Sequence, residues 1–202
     1  IQFAANDLVF TTKFDHNEKR YDGSLSIGRV EGQMKGWRPL ATTAQLDFSL
    51  FRDHVLVRKF TIASGKSKFE ASGEVKDLQH LAAELSYTAQ VDVRELAAAA
   101  RIHSLQAGTL DIQAKASLGQ QGSSTRGQMK FRELGYNDGD IRLAGVAGQM
   151  NFGIDPAKMT FTNIAATALG GKVNGNGEIQ GWTESATQTG TMNFQIEGVE
   201  LR

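Results

Sequence analysis

Apolar and polar residues alternate along most of the chain, which is typical of β-strands that have one buried and one wet face. Leu8, Phe10 and Phe14 share one side of a predicted strand, as does every second residue from Leu110 to Leu118. These runs end in turn-forming stretches such as DHNEKRYDG and GQQGSS. The pattern predicts about a dozen strands that follow one another as an antiparallel meander.

The stretch DVRELAAAARI departs from this alternation. Asp92 can cap a helix that has Glu95 at its third position, and the alanines favour the helical state. We therefore expect one short helix near residues 92–103 that lies against the end of the sheet. Its buried side is expected to consist of Leu96, Ala99, Ala100 and His103.

A short motif with a central glycine occurs twice, as FEASGEV at 69–75 and as VNGNGEI at 173–179. Glycine inside a strand usually marks a bulge, a bend or a close backbone approach. Residues 44–78 align without gaps on residues 148–182, and the apolar rhythm is preserved. The alignment favours a repeated structural unit, although chance alternation in a strand-rich chain could produce the same likeness.

Both copies contain one step of three residues between apolar positions instead of two. A β-bulge at Arg58-Lys59 and another at Thr162-Asn163 would return the apolar residues to one face. Repeated strands with regular corners build elongated sheets. We expect residues 1–202 to be one elongated β-repeat segment of a larger protein. Its possible units lie at about 24–91 and 110–198 and are joined by the helix near 92–103.

The predicted fold class is all-β and mainly antiparallel: an elongated curled sheet that forms an apolar trough, with one short helix. The alternative is a two-sheet β-sandwich, in which the same residues form a dry core. The candidate lining residues are Leu46, Phe48, Leu50, Phe60, Ile62, Phe69, Val75, Met150, Phe152, Ile154, Ile164, Val173 and Ile179. An open trough should bind an apolar probe, and Phe152→Asp should weaken that binding.

The chain has 22 Lys and Arg against 22 Asp and Glu, so no net charge favours nucleic acid as a partner. Cysteine is absent, which excludes disulfides and thiol chemistry but leaves the compartment open. No apolar run approaches the roughly 18 residues that a membrane-spanning helix needs. The chain begins at Ile1, and we expect it to be a piece of a longer protein.

Known catalytic and ligand-binding motifs do not match. GKS at 65–67 lacks the glycine that a phosphate-binding loop requires five residues earlier, and GNGEIQG has the wrong spacing for a dinucleotide fingerprint. The four histidines are dispersed, and within strands the Asp15-His16 and Asp53-His54 pairs would point to opposite faces. We predict a protein that is not an enzyme and uses no metal or cofactor.

Three stretches together resemble TamB and the AsmA-like bacterial envelope proteins. They are VDVRELAAAARIHSLQAGTLDIQAKASLGQQG, FTIASGKSKFEASGEVKDL and MTFTNIAATALGGKVNGNGEIQGW. The likeness covers most of residues 24–198 and consists of residue classes: a strand, a Leu-Ala helix, Gly-rich turns and a GxGxI ending.

The resemblance implies a periplasmic chain whose parent is anchored in the inner membrane, with a β-taco-like trough that carries phospholipid toward the outer membrane. It implies three partners: phospholipid acyl chains, neighbouring repeats of the same parent chain, and an outer-membrane barrel protein of the Omp85 type. The alternative function is a structural periplasmic spacer or a chaperone-like scaffold for outer-membrane protein assembly and autotransporter secretion. An adhesin is disfavoured, because its parallel-coil period of about 20 residues is not seen.

Overall fold

The computed structural model describes residues 2–33, 40–77, 80, 82–120, 122–183 and 188–198. They form one antiparallel sheet of twelve strands in which each strand pairs with the next in chain order. The elements are β1 (Gln2–Asp15), β2 (Arg20–Gln33), β3 (Leu40–Leu50), β4 (Val55–Ser64), β5 (Ser67–Asp77), β6 (Ala82–Asp92), α1 (Val93–Ala100), β7 (Leu105–Gly119), β8 (Gly122–Asn137), β9 (Arg142–Ile154), β10 (Lys158–Ala168), β11 (Gly171–Gln180) and β12 (Thr189–Glu197).

The prediction of an all-β curled sheet with one short helix is confirmed. The two-sheet sandwich is wrong, because the twelve described strands belong to one sheet that is not closed. The chain exposes 13860 Å², whereas a compact monomer of the same mass would expose about 9,300 Å². The large exposed area is that of a single layer with one face uncovered.

Both predicted bulges are confirmed. The three-residue step along β4 from Val57 to Phe60 lies opposite a two-residue step along β5 from Gly73 to Ala71. The same step occurs in β10 between Phe161 and Ile164 against β11. The extra residue in each bulge restores the apolar side chains to the face that they occupied before it.

A cluster of polar residues stabilises the first bulge, on the side of the sheet opposite to the apolar side chains. The hydroxyl of Ser49, which is 1% exposed, donates to Asp22 Oδ1 at 2.6 Å. Arg58, within the bulge, contacts the same oxygen through Nη1 at 3.2 Å. The Ser49 hydrogen bond, followed by the nearby Arg20 and Arg58 charges, holds the pKa of the Asp22 carboxyl below its usual value.

The two halves of the sheet have equivalent pairing registers. Phe48 lies opposite Gly23, and Phe152 lies opposite Gly127, so both partners shift by 104 residues (127 − 23 and 152 − 48). One transverse row in the first half comprises Thr12, Gly23, Phe48, Val57, Gly73 and Leu85, and its equivalent in the second half comprises Ala114, Gly127, Phe152, Phe161, Gly177 and Met192. We name β1–β6 unit 1 and β7–β12 unit 2. The chain division at about 24–91 and 110–198 stays a prediction.

The helix forms where the sequence predicts it. Asp92 Oδ1 accepts the backbone N–H of Glu95 at 3.0 Å, which satisfies one of the free donors at the helix start. The helix ends at Ala100, earlier than the predicted end at 103, and is capped by Arg101, whose φ of 59° is left-handed.

The predicted buried side of the helix is partly wrong. The helix buries Val93, Ala97 and Ala99, while Leu96 is 39% exposed. Because the helix ends before His103, that residue cannot extend its apolar side.

Glu95 fastens the helix to the turn between β4 and β5. Its carboxylate accepts the backbone N–H of Lys66 at 3.0 and 3.2 Å, and the Ser67 hydroxyl donates to it at 3.5 Å. The Ser67 hydroxyl oxygen also accepts the N–H of Asp92 at 3.0 Å. The GKS stretch is thus the hairpin turn that receives the start of α1.

Removal of this fastening should cost stability. We expect Glu95→Ala to lower the free energy of unfolding by about 1–3 kcal/mol, because the Lys66 N–H loses a charged acceptor. Urea denaturation followed by circular dichroism measures the loss. Glu84→Ala is the control, since that carboxylate is exposed and forms a surface ion pair with Lys76, and it should change stability by less than about 1 kcal/mol. Equal losses in the two variants would contradict the fastening role.

Candidate functional site

One side of the sheet carries an apolar row that crosses all twelve strands. Residues that lie opposite each other in an antiparallel pair point to the same face, so the row can be followed through the pairing register. This central row comprises Phe10, Leu25, Leu46, Phe60, Ala71, Tyr87, Ala114, Gly127, Phe152, Phe161, Gly177 and Met192. We call the side of the sheet that bears it the apolar face and the other side the polar face.

The neighbouring rows on the apolar face have the same character. One comprises Leu8, Ile27, Ala44, Ile62, Phe69, Ala89, Ile112, Met129 and Met150. The other comprises Thr12, Gly23, Phe48, Val57, Gly73, Leu85, Ala116, Thr125, Ile154, Met159, Ile179 and Gly190. Across these three rows there is no Asp, Glu, Lys, Arg or His. These three rows therefore carry no charge, and two of them run from one edge strand of the described sheet to the other.

The structure places all thirteen candidate lining residues on this face. They come from six strands, β3, β4 and β5 in unit 1 and β9, β10 and β11 in unit 2. Twelve of them are half-buried, and Phe152 is buried with 8% of its surface exposed. The register thus brings the two sets of candidates together on one continuous surface, whereas their role as a lipid lining stays a prediction.

Side chains on the apolar face pack against their neighbours on adjacent strands. The ring of Phe69 lies 6.2 Å from that of Phe60 and 5.4 Å from that of Tyr87, centroid to centroid. The Tyr87 hydroxyl reaches the Thr125 hydroxyl at 2.9 Å, so the phenol has a polar partner within the face. These lateral contacts explain why the side chains are half-buried without a second sheet above them.

Exposure rises from the middle of the apolar face toward its two edges. Ala71 and Ala114 are each 6% exposed, whereas Leu8 on β1 is 59% exposed and Ile196 on β12 is 62% exposed. Side chains on the middle strands have neighbours on both sides, whereas those on β1 and β12 have a described neighbouring strand on one side only. The middle of the apolar face is therefore better shielded than its two edges.

Six of the twelve strands that form the apolar face contain none of the residues that the sequence predicts as its lining. The residues missed include Phe10, Leu25, Tyr87, Phe131 and Phe194. The predicted lining comes only from the two aligned segments, 44–78 and 148–182, which do not include β1, β2, β6, β7, β8 or β12. Period-two alternation in those strands is the signal that could have found them.

The polar face is covered with paired charges. Glu70 contacts both Lys59 and Lys68, at 3.4 and 3.0 Å. Lys158 Nζ lies 2.9 Å from Glu178 Oε2. The Gln180 amide, followed by Lys158, holds the pKa of the Glu178 carboxyl below its usual value.

Depressions of the described surface also lie on the polar face. One of about 750 Å³ is open to solvent and is lined by Glu74, Glu84, Ser86, Lys115, Arg126 and their neighbours. Four of its eleven lining residues are charged, and it is open to solvent, so its volume does not mark an enclosed ligand site. The apolar face is a better candidate because its chemistry is uniform over a long surface.

Neither of the two Asp-His pairs lies wholly within a strand, where the sequence would place their side chains on opposite faces. Asp53 and His54 belong to the β3–β4 turn and bond to each other at 2.8 Å, so their side chains do not point to opposite faces of a strand. Asp15 ends β1 and accepts the N–H groups of Asn17 and Glu18. Within the described ranges, no three His, Asp or Glu side chains form a group that could hold a metal ion.

α1 has eight residues, about 12 Å of helix, which is far short of a bilayer core of about 30 Å. In the part of the chain that the structure describes, no helix has the length and apolar character needed to span a membrane.

No protein-family model matches the chain, and no curated protein or solved structure matches it either. The likeness to TamB and the AsmA-like proteins stays a prediction from the sequence.

Proposed function

We propose that this chain is a non-catalytic periplasmic segment of a TamB/AsmA-like protein, and that its apolar face holds phospholipid acyl chains in transit between the inner and outer membranes. The observation that carries the proposal is the apolar face itself, whose central row crosses the twelve described strands without a charged residue and which no other described strand covers. A parent chain with such segments would also support outer-membrane biogenesis.

The energetics of acyl chains explain why such a face is useful. Each CH₂ that leaves an apolar environment for water costs about 0.8 kcal/mol, so a tail of about fifteen carbons meets a barrier of about 12 kcal/mol. A continuous apolar surface removes most of that barrier. Eleven strand spacings of about 4.8 Å give the sheet a contour of about 53 Å, longer than the bilayer core of about 30 Å.

The absence of charge along the central row also suits the movement of lipid along the apolar face. A fixed cation among the apolar side chains would hold a phosphate headgroup at one place, whereas a uniform surface binds each successive position with similar strength. Lipid could then advance without a deep energy minimum.

A structural role is the second candidate. Among the described residues, β1 and β12 each pair with one neighbouring strand, and strands in this position can accept a further strand through main-chain hydrogen bonds. A spacer or chaperone-like scaffold for outer-membrane protein assembly would use these edges and would not need lipid on the apolar face.

Lipid copurification distinguishes the two candidates. The chain, produced in a bacterial periplasm and purified without detergent, should carry phospholipid that mass spectrometry detects in organic extracts. A β-sandwich protein of similar size, prepared in the same way, is the control. If the chain carries no more phospholipid than the sandwich, the lipid proposal fails and the scaffold role gains support.

Matched variants locate the binding surface. Met150 lies half-buried on the apolar face and Gln149 lies beside it on the polar face, exposed. We expect Met150→Asp to weaken binding of an apolar fluorescent probe about tenfold or more, because a carboxylate against an acyl-like chain costs more than about 1.4 kcal/mol. Gln149→Asp should leave binding unchanged. Equal effects of the two variants would count against the apolar face.

The same comparison can be made in unit 1 with Leu46→Asp and Gln45→Asp, which occupy the equivalent register positions. Phe152→Asp is a poorer test than the sequence suggested. Phe152 is 8% exposed, so a charge there would unfold the sheet and lower binding for an unrelated reason.

A further inference from the structure

Where two charged residues lie directly opposite each other in the sheet, they usually have opposite signs. The described ladders contain five such pairs: Lys13 with Asp22, Asp15 with Arg20, Asp47 with Lys59, Asp111 with Lys130, and Lys172 with Glu197. Opposite charges in these positions stabilise a sheet, whereas like charges destabilise it. The two described pairs that join like charges therefore need a source of compensating charge.

One of the two like-charged pairs is compensated within the chain and the other is not. Glu74 lies opposite Glu84, and Lys76 Nζ contacts Glu84 Oε1 at 3.0 Å. Lys115 lies opposite Arg126, and both are exposed. Among the described residues, neither of these two side chains forms an ion pair. We call Lys115 and Arg126 the cation pair.

Uncharged residues surround the cation pair on the polar face. The positions directly opposite its two members, and two residues along their strands, are occupied by Gln113, Ser117, Ser86, Ser124, Gln128 and Gly153. The acid Glu84 lies diagonally from Lys115, opposite Ser117, and is already in contact with Lys76. The register therefore places no acid directly beside either cation.

The equivalent positions in unit 1 show what the cation pair lacks. In the register that aligns the two units, Lys115 corresponds to Lys13 and Arg126 corresponds to Asp22. Lys13 lies opposite Asp22, so the charges at this place in unit 1 have opposite signs. Unit 2 has a second cation in place of the acid.

The cation pair lies where two open depressions of the polar face meet. Depressions of about 520 Å³ and about 750 Å³ have Ser86, Lys115 and Arg126 in common in their linings. An ammonium, a guanidinium and a hydroxyl therefore lie on neighbouring strands, about 4.8 Å apart. Arginine binds phosphate oxygens through two N–H groups at once, and lysine binds phosphate as a point charge.

We propose that the cation pair binds a phosphate group that belongs to another molecule. The phosphate supplies the negative charge that is missing between β7 and β8, and the Ser86 hydroxyl is placed beside Lys115 as a further donor. Soluble phosphate compounds and anionic lipid headgroups share this chemistry. The site lies on the polar face, so the inference does not depend on acyl chains at the apolar face.

Titration calorimetry with inorganic pyrophosphate at low ionic strength tests the site, because salt screens exposed charges. We expect Lys115→Gln and Arg126→Asp each to weaken binding at least about fivefold, since each removes a charged donor. Arg126→Asp recreates the charge arrangement of Lys13 and Asp22, which the sheet already accommodates in unit 1.

Lys130→Gln is the matched control for the titration. Lys130 is also exposed on the polar face of β8, but it lies opposite Asp111 and so has an opposite charge across the ladder. Its replacement should change the affinity for pyrophosphate by less than about twofold. An equal loss in Lys130→Gln and Lys115→Gln would show general attraction to surface cations and would overturn the proposal.

Thermal unfolding tests the repulsion within the cation pair. Without phosphate, Arg126→Asp should raise the melting temperature by about 1–4 °C, because a repulsive pair becomes an attractive one. Pyrophosphate should raise the melting temperature of the unmodified chain and leave that of Arg126→Asp unchanged. A lower melting temperature for Arg126→Asp without phosphate would show that acids of the chain already neutralise the cation pair, which would contradict the proposal.

Cosedimentation with vesicles distinguishes the two sources of phosphate. Vesicles of phosphatidylglycerol mixed with phosphatidylcholine are compared with vesicles of phosphatidylcholine alone. Binding to the anionic vesicles that is lost in Arg126→Asp and kept in Lys130→Gln would support the site and assign the phosphate to a lipid headgroup. Binding of pyrophosphate without such cosedimentation would assign it to a soluble compound. If neither binds, the proposal is wrong, and the lipid copurification result stands independently.

Discussion

Replacement of Phe152 by alanine is expected to lower the free energy of unfolding by about 3–5 kcal/mol. Phe152 is 8% exposed and lies in the central row of the apolar face. Its neighbours across the two adjacent strands are Gly127 and Phe161. Truncation removes the ring from this site and leaves a cavity that a paired sheet cannot easily close.

Phe194→Ala is the matched control for this prediction. Phe194 is the same residue type on the same face, but at 48% exposure on the edge strand β12. Its loss should cost only about 1 kcal/mol. Urea denaturation followed by circular dichroism measures both values. Similar losses in the two variants would contradict the stronger shielding of Phe152 in the middle of the face.

Gly73→Ala should destabilise the chain by about 2–5 kcal/mol, from backbone strain together with overpacking. Gly73 has a φ of 153°. A Cβ at this position would clash with the carbonyl oxygen of Glu84 and lie 2.8 Å from the Cα of Leu85, both in the backbone of β6. Backbone atoms of a paired strand cannot move aside as a flexible side chain can. The glycine of FEASGEV is thus required by the close approach of β5 and β6.

Two other glycines provide comparisons for the loss of stability expected of Gly73→Ala. Gly177 is the register equivalent of Gly73, but an added Cβ there would meet the flexible side chain of Met192 at 3.2 Å. Gly119 has no atom within 4 Å of the same position. Stability measured by urea denaturation should therefore fall most for Gly73→Ala, less for Gly177→Ala and least for Gly119→Ala. A loss for Gly119→Ala as large as that for Gly73→Ala would contradict the steric explanation.

These stability effects bear on the proposed function. An apolar face that is partly shielded on its middle strands and exposed on its edge strands can remain folded without lipid. It can still offer apolar surface to an acyl chain. Exposed apolar area of this extent usually marks an interaction surface.

Local features of this protein were determined by the sequence itself. Alternation predicted the strands because successive side chains of a strand point to opposite sides. Asp92 and Glu95 predicted the start of the helix because capping involves residues three apart. The three-residue steps after Val57 and Phe161 predicted the two bulges for a similarly local reason, since one extra residue is needed to keep a face apolar.

The tertiary structure decided what depends on pairing between strands. The same alternation suits one curled sheet or two stacked sheets, because each buries one side of every strand. Only the register shows that Leu46 and Phe152 lie in one row across one sheet. Strand pairing is a non-local property, and the side that a helix buries depends on where it ends against the sheet. Those contacts are not encoded in the spacing of neighbouring residues, so the open apolar face emerged only from the assembled twelve strands.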